Sequence, residues 1–457
     1  MPTSSVSPPV PGRRTAWAEG LDELRAAATT EPGRLRVIGA VLALLVVVSG
    51  AVTAWQVSDR AAAADDVVTH SQPLTSDAAS IYRSLADADT TAAAGFLAGG
   101  EESRATRERY ATDIATASAL LVKASANSRG SREAGAEITR LNSRLPRYAG
   151  LVETARANNR QGLPLGGAYL RYANEQMRTE LLPAARALYD AETDRLTADY
   201  DKAKAWPWYA LAAGAVAIGA LGWAQRRHYR RTNRVFNRGL LAATAASVAV
   251  LLWLVAGHMT ARAGLTDSYQ HGARSLRVLN EARIDALQAR GDENLTLVAR
   301  GAVLTGARQD FYETGFRSGM TDLAGPGEHG AAAAHSRLAA ALALADDEAG
   351  RRPVRAALTQ VRQWQARHAE ARAADDKGDY DGALAKVIGP DGSTGESFDR
   401  VAAGLQQALE HEQAQFRSSA DTGRGALGGL PVGAGVLAAL AALGAVLGIG
   451  RRLAEYR

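Results

Sequence analysis

The sequence predicts an all-α membrane protein with four transmembrane helices and two extracytoplasmic four-helix bundles. Three observations carry this prediction: four apolar stretches of membrane-spanning length, apolar residues at helical spacing between them, and basic residues beside the spans on one side only. Hydrophobic residues make up 47% of the 457 residues but aromatic residues only 6%, so aliphatic side chains supply most of the apolar surface. Because Ala and Leu are good helix formers, this composition favours helices.

Four stretches come close to the roughly 20 apolar residues that a helix needs to cross the hydrocarbon core. They are residues 37–57, 206–224, 240–257 and 426–449. The first is expected to remain in the mature chain as a span. Its apolar core is long, and Trp55-Gln56-Val57 follows it where a signal peptide would have small residues before the cleavage site.

The orientation follows from arginines beside the spans. Arg34 and Arg36 precede the first span, and Arg451 follows the fourth. The hairpin 225–239 between the second and third spans contains six arginines: Arg226, Arg227, Arg230, Arg231, Arg234 and Arg238. The positive-inside rule places all three clusters in the cytoplasm, so the hairpin can be explained by topology alone. It could also dock an acidic partner or anionic lipid.

This orientation divides the rest of the chain. The N-terminal segment 1–36 and the tail 450–457 are predicted to be cytoplasmic, so that both termini of a multi-pass plasma-membrane protein lie inside. The long segments 58–205 and 258–425 are predicted to lie outside. None of the cytoplasmic parts is long enough for a kinase domain, so any signal would have to pass to a separate protein.

The fourth span has a second pattern. Gly425, Gly429, Gly433, Gly444 and Gly448 follow small-xxx-small spacing, which permits close contact with another helix. An Ala- and Gly-rich composition could also produce this pattern without any such contact.

The first outer segment shows four runs of apolar residues spaced three and four apart, each marking one face of a helix. The runs are Leu74–Ala78–Ile81–Leu85–Ala88–Ala92, Tyr110–Ile114–Ala117–Leu121, Ile138–Leu141–Leu145–Tyr148–Val152–Ala155, and Leu170–Ala173–Met177–Leu181–Ala184–Leu188. Four such faces can bury one another in an up-down-up-down bundle. Residues 58–98 contain no strong helix breaker except Pro73, so a long helix is expected to continue from the first span.

The second outer segment repeats this plan less regularly. Its helices are marked by Ile284 to Val298, by a run from about Phe311, by Val354 to His368, and by Phe398 to Phe416. Both halves start in the cytoplasm, so the chain is predicted to be a tandem parallel repeat that folds as an intramolecular pseudo-dimer. His368 lies on an apolar face, where a packed histidine is a better interpretation than a metal ligand.

Motifs for catalysis are missing from the sequence. The chain has no cysteine, no HExxH zinc spacing, no GxxxxGK[ST] phosphate loop and no GxSxG elbow. The acidic pairs Asp65-Asp66, Asp346-Asp347 and Asp375-Asp376 are interpreted as solvated helix ends rather than paired catalytic carboxylates. We therefore predict a non-enzymatic protein without cofactor or metal. The net charge of +5 is accompanied by arginines beside the membrane, so it gives no evidence for a nucleic-acid partner.

Four short segments resemble a known family. They are 72–79 (QPLTSDAA), 81–89 (IYRSLADAD), 158–167 (NNRQGLPLGG) and 231–235 (RTNRV). They look like those of an actinobacterial four-span membrane family that is associated with a glutamine-binding lipoprotein and the Ser/Thr protein kinase G. The resemblance implies a relay of amino-acid availability from the lipoprotein to the kinase. The bundle architecture also resembles the four-helix-bundle sensor domains of chemoreceptors, which pair two copies as a homodimer.

If the chain is such a relay, the bundle tips are the natural contact surface for a solute-binding lipoprotein. The polar and aromatic candidates there are Asn158, Asn159, Arg160, Gln161, Tyr169, Arg171, Asp379, Tyr380 and Asp381. The same residues could serve only as helix caps and turns. The outer bundles could also bind a small amino acid directly. Two other functions stay open: a structural scaffold of the cell envelope, and an accessory subunit of a transporter.

Overall fold

The computed structural model of the protein describes residues 31–99, 102–127, 131–232, 237–326, 333–389 and 391–454. This part of the chain is almost entirely helical. It contains no β-strand, and Leu304 and Asp310 form an isolated β-bridge. The helices are α1 Glu31–Asp66, α2 Gln72–Leu97, α3 Arg104–Asn127, α4 Arg132–Arg160, α5 Leu165–Gln176, α6 Leu182–Lys204, α7 Trp208–Thr232, α8 Arg238–Asp267, α9 Arg274–Ala299, α10 Phe311–Ala324, α11 Arg337–Leu344, α12 Glu348–Asp376, α13 Tyr380–Ile388, α14 Thr394–Gly428 and α15 Leu430–Ala454.

Four helical segments are long and apolar enough to cross a membrane, which confirms the predicted number of spans. They run over Gly33–Leu97, Leu165–Arg230, Arg238–Ala299 and Thr394–Gly450, and each contains one predicted span. The first segment passes through Pro73 without a break. The chain is therefore a multi-pass membrane protein.

The chain divides into two compact units. The membrane unit comprises the described parts of Met1–Ala61, Ala205–Ala261 and Gly425–Arg457. The second unit, called the outer unit after the location predicted for it, comprises the described parts of Ala62–Lys204 and Arg262–Arg424.

Small residues allow close helix packing in the membrane unit. Gly444 and Gly448 on α15 contact Gly239 on α8, where an added Cβ would overlap the backbone of both. Asn237 strengthens the contact, since its side-chain amide donates to the Gly448 carbonyl oxygen at 2.7 Å. The same spacing has no such role at Gly429, where an added Cβ would have no atom within 4 Å. The predicted close approach is therefore confirmed at Gly444 and Gly448, and also at Gly433, where an added Cβ would overlap the Trp253 ring of α8.

The main apolar core of the outer unit is built from both outer segments, and a smaller cluster of Leu97, Leu297, Ala371, Ala383 and Val387 lies apart from it. In the first segment α2, α3, α4 and the pair α5–α6 coincide with the four predicted runs. In the second, α9, α10, α12 and α14 coincide with the predicted helices, and α11 and α13 are two short additions. Leu85 and Leu141 from the first segment belong to the same buried cluster as Leu287 and Trp364 from the second.

Helices α2 and α9 join the two segments directly. Thr90 on α2 donates to the Leu287 carbonyl oxygen on α9 at 3.0 Å, and the Asn294 amide donates to the Thr90 carbonyl oxygen at 3.3 Å. Gly291 permits this approach, because an added Cβ would lie 3.3 Å from the Thr90 hydroxyl oxygen.

Three π-helical segments interrupt the long helices: Val67–Ser71, Met177–Leu181 and Ser268–Ala273. The first two each end two residues before a proline, Pro73 or Pro183. A proline has no N–H, and its ring collides with the carbonyl group four residues earlier in an α-helix. A π turn, with bonds to the fifth residue, widens the helix there and removes the collision. At Pro73 the π segment supplies this room, whereas α4 continues through Pro146 without one.

Candidate functional site

A charged cavity lies between α2, α9 and the junction of α5 with α6. Its volume is about 300 Å³, at the lower end of the range for small-molecule sites. Four charged side chains line it: Asp89, Arg178, Arg186 and Asp292. Apolar groups of Leu182, Pro183 and Leu287 complete part of the wall.

Asp89 is one of the two buried carboxylates among these charges. Its carboxylate accepts hydrogen bonds from the Tyr148 hydroxyl at 3.1 Å and the Asn174 amide at 2.6 Å. Burial raises its pKa to about 6, although both hydrogen bonds and the charge of Arg178 oppose this shift. Asp89 forms no ion pair with any residue that the structure describes. The site thus holds a carboxylate that is hydrogen-bonded but has no direct counter-ion.

The Met177–Leu181 π segment brings Arg178 to the cavity, where its guanidinium pairs with Asp292 on α9. Burial raises the pKa of Asp292 to about 6, and Arg178 limits the rise. Gly315 on α10 makes room for this carboxylate, because an added Cβ would overlap it. Arg178 also lies 4.9 Å from the centre of the Phe311 ring.

Arg186 supplies the second positive charge. Its guanidinium pairs with Asp190 at 3.2 Å on its own helix and with Glu281 at 3.4 Å on α9. The four charged groups that line the cavity therefore balance, with two carboxylates and two guanidinium groups in a small volume.

A second buried cluster surrounds His368 on α12. Its Nδ1 lies 2.9 Å from a carboxylate oxygen of Glu293, and its Nε2 lies 3.0 Å from one of Glu313. The imidazole stacks on the Phe316 ring with centroids 3.6 Å apart. Burial alone would lower the pKa of His368, but the two glutamates outweigh it and raise that pKa. A doubly protonated imidazole satisfies both carboxylates.

Arg290 is a buried member of the same cluster. Its guanidinium pairs with Glu293 and donates to the Thr394 hydroxyl at 2.8 Å and to the Val387 carbonyl oxygen at 3.0 Å. Trp364 donates to Glu293 at 3.1 Å. Sequence reasoning correctly predicted a packed His368 but did not predict its two carboxylate partners.

A possible metal group consists of Asp267, His271 and Asp346, whose ligand atoms lie within 4.8 Å of one another. His271 lies 3.0 Å from Asp267 and 3.5 Å from Asp346. Asp267 also accepts from the Ser419 hydroxyl at 2.6 Å. Hydrogen bonding and charge attraction among these half-buried or exposed groups account for the arrangement.

Two of the acidic pairs lie at helix ends, as predicted. Asp65 and Asp66 are exposed but lie within the continuous helical segment Gly33–Leu97, so the prediction of a helix end is wrong for that pair. Asp347 caps α12 by accepting from the Gly350 N–H at 2.8 Å. Asp375 and Asp376 pair with Arg372, and Asp65 pairs with Arg424.

The predicted tip residues mostly make local contacts. Asn159 donates to the Phe96 carbonyl oxygen at 2.8 Å and Asn158 to that of Thr154 at 2.8 Å. Gln161 ends α4, and Asp379 caps α13 by accepting from the Gly382 N–H at 2.9 Å. The Arg300 guanidinium lies over the Tyr380 ring at 3.8 Å.

The remaining predicted tip residues differ in how exposed they are. Arg160 and Asp381 are exposed, whereas Arg171 is half-buried. Tyr169 is half-buried and packs against the core.

The hairpin arginines are described in part. Arg226, Arg227 and Arg230 lie on the last turns of α7, and Arg238 begins α8. The Arg227 guanidinium lies 5.3 Å from the Trp223 ring centre. Arg234 and the side chain of Arg231 lie outside the described residues, as do the segment 1–30 and the residue Arg457.

Sequence reasoning did not identify the charged cavity. Its charges come from helices far apart in the chain, so no local motif joins Asp89 with Asp292. A weak signal was available, because Asp89 follows Leu85 by four residues and so continues an apolar helix face. A carboxylate at such a position indicates either a buried polar network or a site.

A protein-family model matches part of the chain that forms the cavity. Residues 63–201 match the family model described as an actinobacterial sensor domain. No curated protein and no solved structure matches the chain. The matched region includes α2 to most of α6, and therefore Asp89, Arg178 and Arg186. Residues 63–201 of this multi-pass membrane protein are therefore similar to the actinobacterial sensor domain family.

Proposed function

We propose that the chain is a non-enzymatic transmembrane sensor that passes extracytoplasmic amino-acid status to a cytoplasmic kinase pathway. In this proposal a ligand-loaded solute-binding lipoprotein supplies the input. Both termini and the Arg-rich hairpin lie in the cytoplasm, as the positive-inside rule indicates.

The observation that carries the proposal is the contact of α2, which lies in the region that matches the sensor-domain model, with α9, which lies outside it. Each of these helices continues a helical segment that contains a candidate span, Gly33–Leu97 for α2 and Arg238–Ala299 for α9. A binding event that favours one arrangement of α2 against α9 could therefore act on helices that reach the spans.

The two halves are proposed to form a pseudo-dimer. In support, each half has a π segment shortly after its first span, at Val67–Ser71 and Ser268–Ala273. Helices α2 and α9 follow these two segments and pack on each other, as equivalent helices of a dimer would.

The partner surface is proposed to include the tip residues, with Arg160 and Asp381 as its exposed charges. The first test is binding of the lipoprotein to the full chain in nanodiscs, with and without amino acids. We expect binding to depend on amino-acid loading and to weaken in Arg160→Ala and Asp381→Ala. Arg140→Ala is the control, since Arg140 is an exposed arginine elsewhere on α4. Binding that ignores loading, or no binding at all, would contradict the relay.

The cytoplasmic output is tested at the hairpin. Arg226, Arg227, Arg230 and Arg238 are replaced by Gln, and the kinase response is measured. The chain has no cysteine, so one introduced Cys per variant reports topology by thiol labelling. Loss of response with topology retained would support the hairpin as output, and an unchanged response would exclude it.

The same experiments address the alternative functions. A structural envelope scaffold predicts no partner-dependent change in hydrogen exchange of the outer unit. A transporter accessory subunit predicts co-purification with a multi-span permease.

A further inference from the structure

We propose that the cavity between α2, α6 and α9 is a binding site for one small zwitterion of the α-amino-acid class. The inference deepens the proposed sensor function, because it gives the outer unit a direct ligand in addition to a protein partner. It rests on the charges, donors and space in the cavity.

The lining charges favour a ligand with both signs. A simple anion would meet Asp89 and Asp292, and a simple cation would meet Arg178 and Arg186. A zwitterion can place its ammonium group by a carboxylate and its carboxylate by a guanidinium group, so neither end is left without a partner.

Asp89 is the better site for the ammonium group. Asp292 already pairs with Arg178, whereas Asp89 accepts neutral hydrogen bonds from Tyr148 and Asn174. An isolated buried carboxylate is costly, and a ligand cation would remove much of that cost. Tyr148 and Asn174 act as positioning residues, because they fix the orientation of the carboxylate.

Arg178 is the better site for the ligand carboxylate. A guanidinium group has five N–H donors, and Arg178 uses one nitrogen for Asp292. About 35% of its side chain is exposed, so donors remain available for a second carboxylate. Arg186, by contrast, already contacts two acidic groups. Leu182, Pro183 and Leu287 offer an apolar surface to the ligand side chain.

The site also explains how a ligand could affect the protein. Asp89 belongs to α2 and Asp292 to α9, while Arg178 lies in the π segment before α6. A ligand that binds Asp89 and Arg178 would add contacts between elements of the first segment beside their junction with α9. Such contacts shift an equilibrium only if they differ between its two states.

The test is calorimetric titration of the full chain in nanodiscs with the standard amino acids, one at a time. Ethylamine and propionate, which each lack one charged end of alanine, are the ligand controls. We expect at least one amino acid to bind and both analogues to bind much more weakly. Asp89→Asn should weaken binding roughly tenfold or more, because a charged hydrogen bond is lost. Asp87→Asn is the matched control, since Asp87 is on the same helix but pairs with Arg109.

A second variant guards against misfolding of Asp89→Asn. Gly291→Ala adds one methyl group at the cavity wall, where it meets only the Thr90 hydroxyl at 3.3 Å. It should weaken binding by narrowing the cavity, and unfolding temperatures of both variants separate loss of the site from loss of the fold. If no amino acid binds, or if Asp89→Asn and Gly291→Ala both bind like the unaltered chain, the inference is wrong. Direct binding without a kinase response would leave the inference standing and overturn the relay. A lipoprotein-dependent kinase response without direct amino-acid binding would support the relay and overturn the inference.

Discussion

Thr90 and Leu287 form a buried hydrogen bond between the two halves of the chain, with the Thr90 hydroxyl oxygen 3.0 Å from the Leu287 carbonyl oxygen. The hydroxyl is shared with the Ala86 carbonyl oxygen of its own helix at 2.9 Å. Because the Thr90 side chain lies at the α2–α9 contact, a substitution of Thr90 tests how much that contact stabilises the protein.

Thr90→Val should lower the free energy of unfolding by about 1 kcal/mol, because the substitution keeps the shape and removes one buried hydrogen bond. Thermal or denaturant unfolding of the full chain checks the value. Thr139→Val is the control, since the Thr139 hydroxyl is exposed and bonds only within its own helix, to Gly135. Equal effects of the two substitutions would contradict a specific role for the α2–α9 bond.

His368 should make the outer unit less stable as the pH rises from near neutral. Its pKa is raised above the ordinary 6.5 in the folded state, so its contribution is complete below pH 6.5 and is lost through the folded pKa. Glu293 and Glu313 act in the opposite sense. Their pKa values fall below the ordinary 4.5, so their contribution is complete above pH 4.5 and is lost as the pH falls through the folded values.

The measurement is unfolding free energy against pH for the unaltered chain and for His368→Gln. Glutamine has no positive charge and both of its N–H donors are on one nitrogen, so it cannot replace the two ring nitrogens that face Glu293 and Glu313. The variant should therefore be less stable at pH 6 and should lose less stability between pH 6 and 8. His335→Gln is the control, because His335 is an exposed histidine of the same unit. A pH profile that does not change in His368→Gln would exclude this role.

Asp113 is predicted to be a destabilising carboxylate. Burial, and then the charge of Asp87, raise its pKa from 3.8 to about 7, and one of its oxygens accepts no hydrogen bond from a described residue. A raised carboxyl pKa means that stability falls as the pH increases from 3.8 through 7. Asp113→Asn should therefore be more stable than the unaltered chain at pH 8, with the difference disappearing near pH 4. A loss of stability at pH 8 would contradict the proposed repulsion.

The glycine contact in the membrane unit should tolerate no larger side chain. Gly448→Val would force α15 away from α8 and lower stability by about 1–3 kcal/mol, the usual cost of overpacking. Gly435→Val is the matched control in the same helix, because an added Cβ there has no neighbour within 4 Å. The measurement is thermal unfolding of each variant in detergent. Similar unfolding temperatures for the two variants would contradict the prediction.

Periodic apolar residues were enough to predict the long helices. The run from Leu170 to Leu188, for example, lies on α5 and α6 with a π segment between them. Helices α11 and α13 were not predicted, because they have only 8 and 9 residues and Gly-rich sequence lies nearby. Helices this short show too few turns for their periodicity to be distinguished from chance.

The cavity and the His368 cluster were less predictable than the helices. Arg178 reaches its position because a π segment changes the direction of the following side chains, and no pattern based on α-helical spacing includes that change. Sequence reasoning did not single out Glu293 or Glu313. Only the packing of α9, α10 and α12 together reveals that they face one histidine.

The π segments have a consequence for the length of the helices. A π turn contains one residue more than the α turn it replaces, so Val67–Ser71 and Ser268–Ala273 each carry one surplus residue. Deleting one residue there would restore an unbroken α ladder, whereas deletion elsewhere would bring the downstream side chains out of register. If the surplus residue migrated along the helix, the stretch it passed would turn by about 100°, the angle per residue of an α-helix. These helices therefore contain the means of a screw-like adjustment that requires neither unwinding nor a hinge.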